Sequence, residues 1–129
     1  MKDQKKALVV DDDDDFLFQQ KSALESLGFK VETAGGRQEA LEKLKEYKPD
    51  LALVDLMMEE KDGGFILAHQ IKRMSPALPV ILVTAVTAET GLQFSLDSQG
   101  AQRWIRADAI LTKPIRLEQL KKEIERVMA

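Results

Sequence analysis

Four short apolar runs, each ending in a polar or charged residue, restrict this chain to very few folds. Lys6-Ala7-Leu8-Val9-Val10 runs into Asp11, and Leu51-Ala52-Leu53-Val54 into Asp55. Pro79-Val80-Ile81-Leu82-Val83 ends in Thr84, and Ala109-Ile110-Leu111-Thr112 in Lys113-Pro114. Dense apolar runs without alternation are the pattern of strands covered on both faces. Lys30 to Ala34 reads as a further strand, broken by Gly35-Gly36.

Between the runs the period changes to that of helices. Phe16 to Leu27 carries Leu17, Leu24 and Leu27 on one face and stops at Gly28. Gln38 to Tyr47 is helical, with Leu41 and Leu44 in step, and ends before Pro49-Asp50. Phe65 to Met74 follows an acidic, glycine-bearing loop, Leu56 to Gly64, and is closed by Ser75-Pro76. Leu117, Leu120, Ile124 and Val127 form the apolar stripe of a last helix, expected to pack on the sheet. Strands alternating with helices of this length require crossover connections, hence a parallel α/β sheet with helices on both faces. Val86 to Asp108 breaks the alternation, with Gly91, Gly100, a lone Trp104 and no clean period. One short or irregular fourth helix, and the most mobile part of the domain, are expected there.

Composition narrows the function classes. The 129 residues suit one domain with its own core, residues 1–129. Nineteen basic against 22 acidic residues give a net charge of −3, which offers no broad basic surface for nucleic acid. Without cysteine there are no disulfides, no thiolate chemistry and no cysteine-ligated zinc. The apolar run from Ala7 to Val10 is too short for a signal peptide, and no stretch approaches membrane-spanning length. A soluble, cytoplasmic protein is the expectation.

In open parallel sheets, ligands collect at the carboxyl ends of the strands. Those ends carry Asp11 and Asp12, Asp55, Thr84 and Lys113. Taken singly, each has a plain structural explanation; together they bring carboxylates, a hydroxyl and an ammonium to one edge. Two carboxylates about 4 Å apart repel by roughly 4 kcal/mol near a protein surface. A hard divalent cation, magnesium above all, offsets that cost and keeps positions open for phosphate. Of the run Asp11 to Asp15, the first two face the strand ends and are the metal pair. Asp13, Asp14 and Asp15 are expected to favour the start of the first helix by capping and dipole effects.

The segments LVVDDD, PDLALVDLMM with DGG shortly after, ILVTA and ILTKPI together resemble the receiver domain of two-component response regulators, over essentially the whole chain. The resemblance implies a flavodoxin-like, doubly wound five-stranded sheet of order 2-1-3-4-5. It implies that Asp55 takes a phosphoryl group from a phosphohistidine on a sensor histidine kinase or phosphotransfer protein. Magnesium would be held by Asp11, Asp12, Asp55 and the backbone carbonyl of Met57. Thr84 and Lys113 would each engage a phosphoryl oxygen, Lys113 turned inward by a cis bond to Pro114, and the 84–113 surface would shift. Such a domain signals rather than turning over a substrate, through an unknown downstream partner and possible homodimer contacts, alone or within a longer regulator.

The chain also departs from the family pattern. Glu59 stands where the family usually has proline, Glu60 where glycine is usual, and Gly64 reads as an extra loop residue. Met57 and Val86, two residues beyond Asp55 and Thr84, are apolar and unable to orient an attacking water, so slow self-dephosphorylation is expected. Ile110 occupies the place of the usual aromatic switch residue, which argues against a rotating-ring readout, and the 84–113 segment is longer than is typical. His69, the only histidine, reads as a half-buried or exposed helix residue. Phe94 and Trp104 read as packing anchors, and Met58 as loop or core. Two other classes compete. A magnesium-dependent aspartyl phosphohydrolase would need a second aspartate where Met57 stands. A pseudo-receiver that binds partners unphosphorylated is opposed by the complete set Asp11, Asp12, Asp55, Thr84 and Lys113.

Overall fold

Each of the five runs forms a strand. A computed structural model describes residues 5–55, 63–85, 108–113 and 115–128. The strands are β1 (Lys6–Val10), β2 (Lys30–Ala34), β3 (Leu51–Asp55), β4 (Val80–Ala85) and β5 (Ala109–Lys113). Strands β1, β3 and β4 bury both faces, while the outer strands β2 and β5 are partly open to solvent. Among the described residues the helices are α1 (Asp14–Ser26), α2 (Arg37–Glu46), α3 (Gly63–Met74) and α4 (Leu117–Val127). All strand pairs are parallel and the order is β2-β1-β3-β4-β5, as expected. The anticipated irregular helix between β4 and β5 lies outside the described residues.

Strand alternation divides the core in two. Ala7, Val9, Leu51, Leu53, Ile81, Val83, Ala109 and Leu111 face α1 and α4, meeting Leu17, Leu24, Leu120 and Ile124. Leu8, Val10, Ala52, Val54, Val80 and Leu82 face α2 and α3, meeting Ala40, Leu67, Ala68 and Ile71. Leu8, Leu53, Leu82 and Leu120 are among the side chains with no more than 1% exposure. Burying each contributes about 1.5–3 kcal/mol, which makes these two layers the main support of the sheet.

Several boundaries differ from the sequence expectation, each for a local reason. Helix α1 starts at Asp14, two residues early, because Asp13 caps it. Helix α3 takes in Gly63 and Gly64, which were expected in the loop; glycine weakens a helix by about 1 kcal/mol without blocking it. Strand β4 begins at Val80 rather than Pro79, whose ring nitrogen has no proton for the ladder. Leu117, expected on the buried stripe of α4, is 47% exposed at the helix start, while Leu120 and Ile124 carry the packing. The stop after α1 is as expected: Gly28 has φ of 98°, a left-handed conformation that glycine adopts freely. There the Phe29 N–H reaches Leu24 O and the Gly28 N–H reaches Glu25 O, both at 3.0 Å, closing the helix end. No helix among the described residues is long and apolar enough to cross a membrane.

Tyr47, just beyond α2, ties that helix to the starts of β1 and β2. Its hydroxyl donates to Ala7 O at 3.2 Å and Lys30 O at 3.3 Å. Burial first, then the charges of Glu32 and Asp50, push the phenol up to about 12. The folded chain thus holds this proton more tightly than the unfolded one. Its stabilising contribution is fully present below the unfolded value of about 10 and is lost as pH rises through about 12. Tyr47→Phe is expected to lower stability by about 1 kcal/mol at neutral pH in urea denaturation. The same titration run upward should show a steeper loss between those pH values in the unaltered chain than in the variant.

Candidate functional site

Parallel pairing decides which polar residues meet. Val10 lies opposite Val54, so the next residues, Asp11 and Asp55, leave β1 and end β3 side by side. Asp55 pairs in turn with Val83, Thr84 with Thr112, and Ala85 with Lys113. The carboxyl ends of β1, β3, β4 and β5 therefore bring Asp11, Asp55, Thr84 and the Lys113 backbone to one edge.

Asp11, Asp12 and Asp55 each offer one carboxylate oxygen, and these oxygens all lie within 4.8 Å of one another. Asp11 is 0% exposed and Asp55 5%, while Asp12 faces solvent. Three carboxylates so close, two of them shielded from water, repel strongly and call for a positive partner. Oxygen donors alone, with one carboxylate open to water, suit a hard cation of the magnesium type better than zinc or copper. Thr84 is also buried, at 3% exposure, one residue beyond the partner of Asp55.

The aspartate run separates into three roles. The Asp11 N–H donates to Ala34 O at 3.1 Å, holding the strand end in the ladder of β2. One oxygen of Asp11 accepts the Asp13 N–H at 2.8 Å, which turns the chain from strand to helix. Asp13 is the helix cap: its Oδ1 accepts the N–H of Asp15 at 3.0 Å and of Phe16 at 3.4 Å. Asp14 and Asp15 are exposed in the first turn, where the helix dipole favours negative charge. Phe16 and Leu17, directly behind the cap, are buried in the α1 layer and clamp this turn to the sheet.

Other residues read from the sequence fall apart from this cluster or beyond view. His69 is half-buried in α3, and Ile110 is half-buried against the α2–α3 layer of the core. Met57, Met58, Glu59, Glu60, Val86, Phe94, Trp104 and Pro114, with the cis bond expected before it, lie outside the described residues. At the opposite edge of the sheet stand contacts of Asp50, Lys72 and Asp108 that the sequence did not single out. An aspartate before an apolar run reads as an ordinary turn residue, and nothing in the local pattern links it to a lysine of another helix.

Comparison with known proteins agrees with this geometry. The model of the response regulator receiver domain matches residues 7–125. The alkaline phosphatase synthesis transcriptional regulatory protein PhoP of Bacillus subtilis (strain 168) is 29% identical over 124 residues, covering 96% of this chain and 48% of that protein. The transcriptional regulatory protein ZraR of Escherichia coli (strain K12) is 33% identical over 123 residues, covering 95% of this chain and 26% of that one. The chain thus spans less than half the length of these two relatives. A CheY-like response regulator receiver domain protein from Methanospirillum hungatei JF-1, solved by crystallography, matches with a TM-score of 0.81 at 28% identity, over 98% of this chain and 94% of that one.

Replacing the cap tests how the site's first wall is held. Asp13→Ala is expected to cost about 1 kcal/mol in urea denaturation, and Asp13→Asn, which keeps an acceptor, much less.

Proposed function

The chain belongs to the response regulator receiver domain family, and on that premise we propose that Asp55 accepts a phosphoryl group from a phosphohistidine of a partner kinase or phosphotransfer protein. The observation that carries this reading is the convergence of Asp11, Asp12 and Asp55 within 4.8 Å at the carboxyl edge of the sheet. Asp55 is the nucleophile because it ends the central strand, with a carboxylate group on one side and buried Thr84 on the other.

In the proposed transfer, a carboxylate oxygen of Asp55 attacks phosphorus in line with the leaving imidazole nitrogen. The new O–P bond forms as the P–N bond breaks, and the electron pair stays on the ring nitrogen, which takes up a proton from water. Asp11 and Asp12, with Asp55 and the backbone carbonyl of Met57, are the groups that would hold magnesium. When bound, that ion supplies the positive charge that offsets three carboxylates and the incoming phosphoryl oxygens. Thr84 then donates its hydroxyl to one phosphoryl oxygen, and Lys113 pairs with another. The remaining work is positioning, which the parallel ladder supplies.

Loss of the phosphoryl group needs an oriented water. Met57 and Val86 carry no group that could polarise one, so the acyl phosphate on Asp55 is long-lived in this proposal. The signal leaves through a change on the 84–113 side toward a protein partner. Residues 1–129 act as one receiver domain in the cytoplasm, whether alone or joined to further segments.

Incubation with acetyl phosphate and magnesium should add one phosphoryl mass to the chain, and Asp55→Asn should abolish it. Beryllofluoride with magnesium should shift backbone resonances around Asp11, Asp55 and Thr84 in the unaltered chain alone. No mass gain and no shift would favour an unphosphorylated binding module. The acyl phosphate should persist for minutes or longer; a half-life of seconds would refute the part assigned to Met57 and Val86.

A further inference from the structure

The edge of the sheet opposite the acidic cluster carries one arrangement twice. Asp50, directly before β3, donates its N–H to Lys6 O at 2.7 Å and accepts the Lys6 N–H on Oδ2 at 2.8 Å. Asp108, directly before β5, donates its N–H to Val80 O at 2.8 Å and accepts the Val80 N–H on Oδ2 at 2.8 Å. In both cases an aspartate closes a two-bond ring around the first residue of the neighbouring strand. A side-chain carboxylate thus takes an N–H at the point where a strand pair begins. Asp55 follows Asp50 by five residues, and Lys113 follows Asp108 by the same interval.

We propose that Asp50 and Asp108 are positioning residues that set the registers of β3 on β1 and of β5 on β4, and so deliver Asp55 level with Asp11 and Lys113 level with Ala85, one residue beyond Thr84. This rests on the phosphoacceptor reading for the use made of those groups, though not for the pinning itself. Five residues of strand span about 16 Å, so each pin acts from the far end of the sheet. A slip of one residue would turn every side chain of the strand to the other face, and a slip of two would move it by about 6.6 Å.

The Asp108 pin matters more. Strand β3 lies between β1 and β4 and is registered from both sides, whereas β5 is an edge strand with β4 as its one neighbour. In sequence, residues 86–108 separate it from β4. Asp108 is correspondingly the better held. Lys72 of α3 places Nζ at 2.7 Å from its Oδ2 and also donates to Leu78 O at 2.8 Å, next to the start of β4. Arg126 of α4 donates to Asp108 O at 3.1 Å while pairing with Glu123. The residue directly before β5 is therefore tied to β4 and to a helix on each face of the sheet.

The amide of Val80 tests the pin in the unaltered protein: it should exchange with solvent far more slowly than a first-strand amide facing water, and fast exchange would overturn the proposal. Asp108→Ala is expected to weaken beryllofluoride binding in the presence of magnesium about tenfold, the scale of one lost hydrogen bond to a charged group. Asp108→Asn keeps an oxygen for Val80 and should stay within about twofold of the unaltered chain, with the cross-strand contacts Ile81–Ala109 and Val83–Leu111 intact by NMR. Binding by the alanine variant equal to the unaltered chain would sink the proposal. So would an asparagine variant as weak as the alanine one, since the Lys72 ion pair would then be what counts. If the unaltered chain binds no beryllofluoride, the phosphoacceptor reading fails, while the Val80 exchange and cross-strand contacts still decide the pin.

Discussion

Repulsion among Asp11, Asp12 and Asp55 is the interaction around which the rest of this domain is arranged. Like charges within 4.8 Å, two of them out of water, do not gather spontaneously. They are held together by a parallel ladder whose apolar residues bury on both faces, so the burial of residues such as Leu8, Leu53 and Leu82 offsets the electrostatic cost. Three carboxylates gathered in this way form the acidic edge on which the proposed cation and phosphoryl chemistry rests. A looser sheet would relieve the strain by separating the carboxylates and would lose the site with it.

The run of five aspartates shows how a single sequence feature is divided by geometry. Asp11 both joins the cluster and receives the Asp13 N–H, so the residue that builds the site also starts the turn into α1. Asp13 satisfies the first free amides of that helix, and Asp14 and Asp15 stand in its favourable field. Charge that would be unfavourable at a helix C-terminus or within a strand here supports two adjacent structures. Phe16 and Leu17 then anchor the turn, so the position of the acidic wall depends on apolar packing directly behind it.

The two edges of the sheet do different work. At the carboxyl edge the ladder ends in groups suited to phosphoryl transfer, which is the use proposed for them in this receiver domain. At the amino edge it begins with aspartates, a tyrosine and a lysine engaged in hydrogen bonds that join strand starts to one another and to the helices. Strands transmit register along their length, so small polar contacts at one edge have consequences for the alignment of side chains at the other.

Much of this was legible in the sequence. Doubly buried strands announce themselves as unbroken apolar runs, and Asp11, Asp55, Thr84 and Lys113 stood out because each follows such a run. Glycine at position 28 and the leucine spacing of α1 marked that helix because capping and periodicity are local properties. Contacts between residues far apart in sequence were a different matter. That Asp11 and Asp55 stand side by side follows from the register Val10–Val54, and the pairing of Lys72 with Asp108 from how α3 lies over β4. Local sequence carries periodicity and turn chemistry, whereas register and helix placement are decided by burying two faces of one sheet at once. The types of residue at the site were therefore written in the chain, and their distances came only with the folded whole.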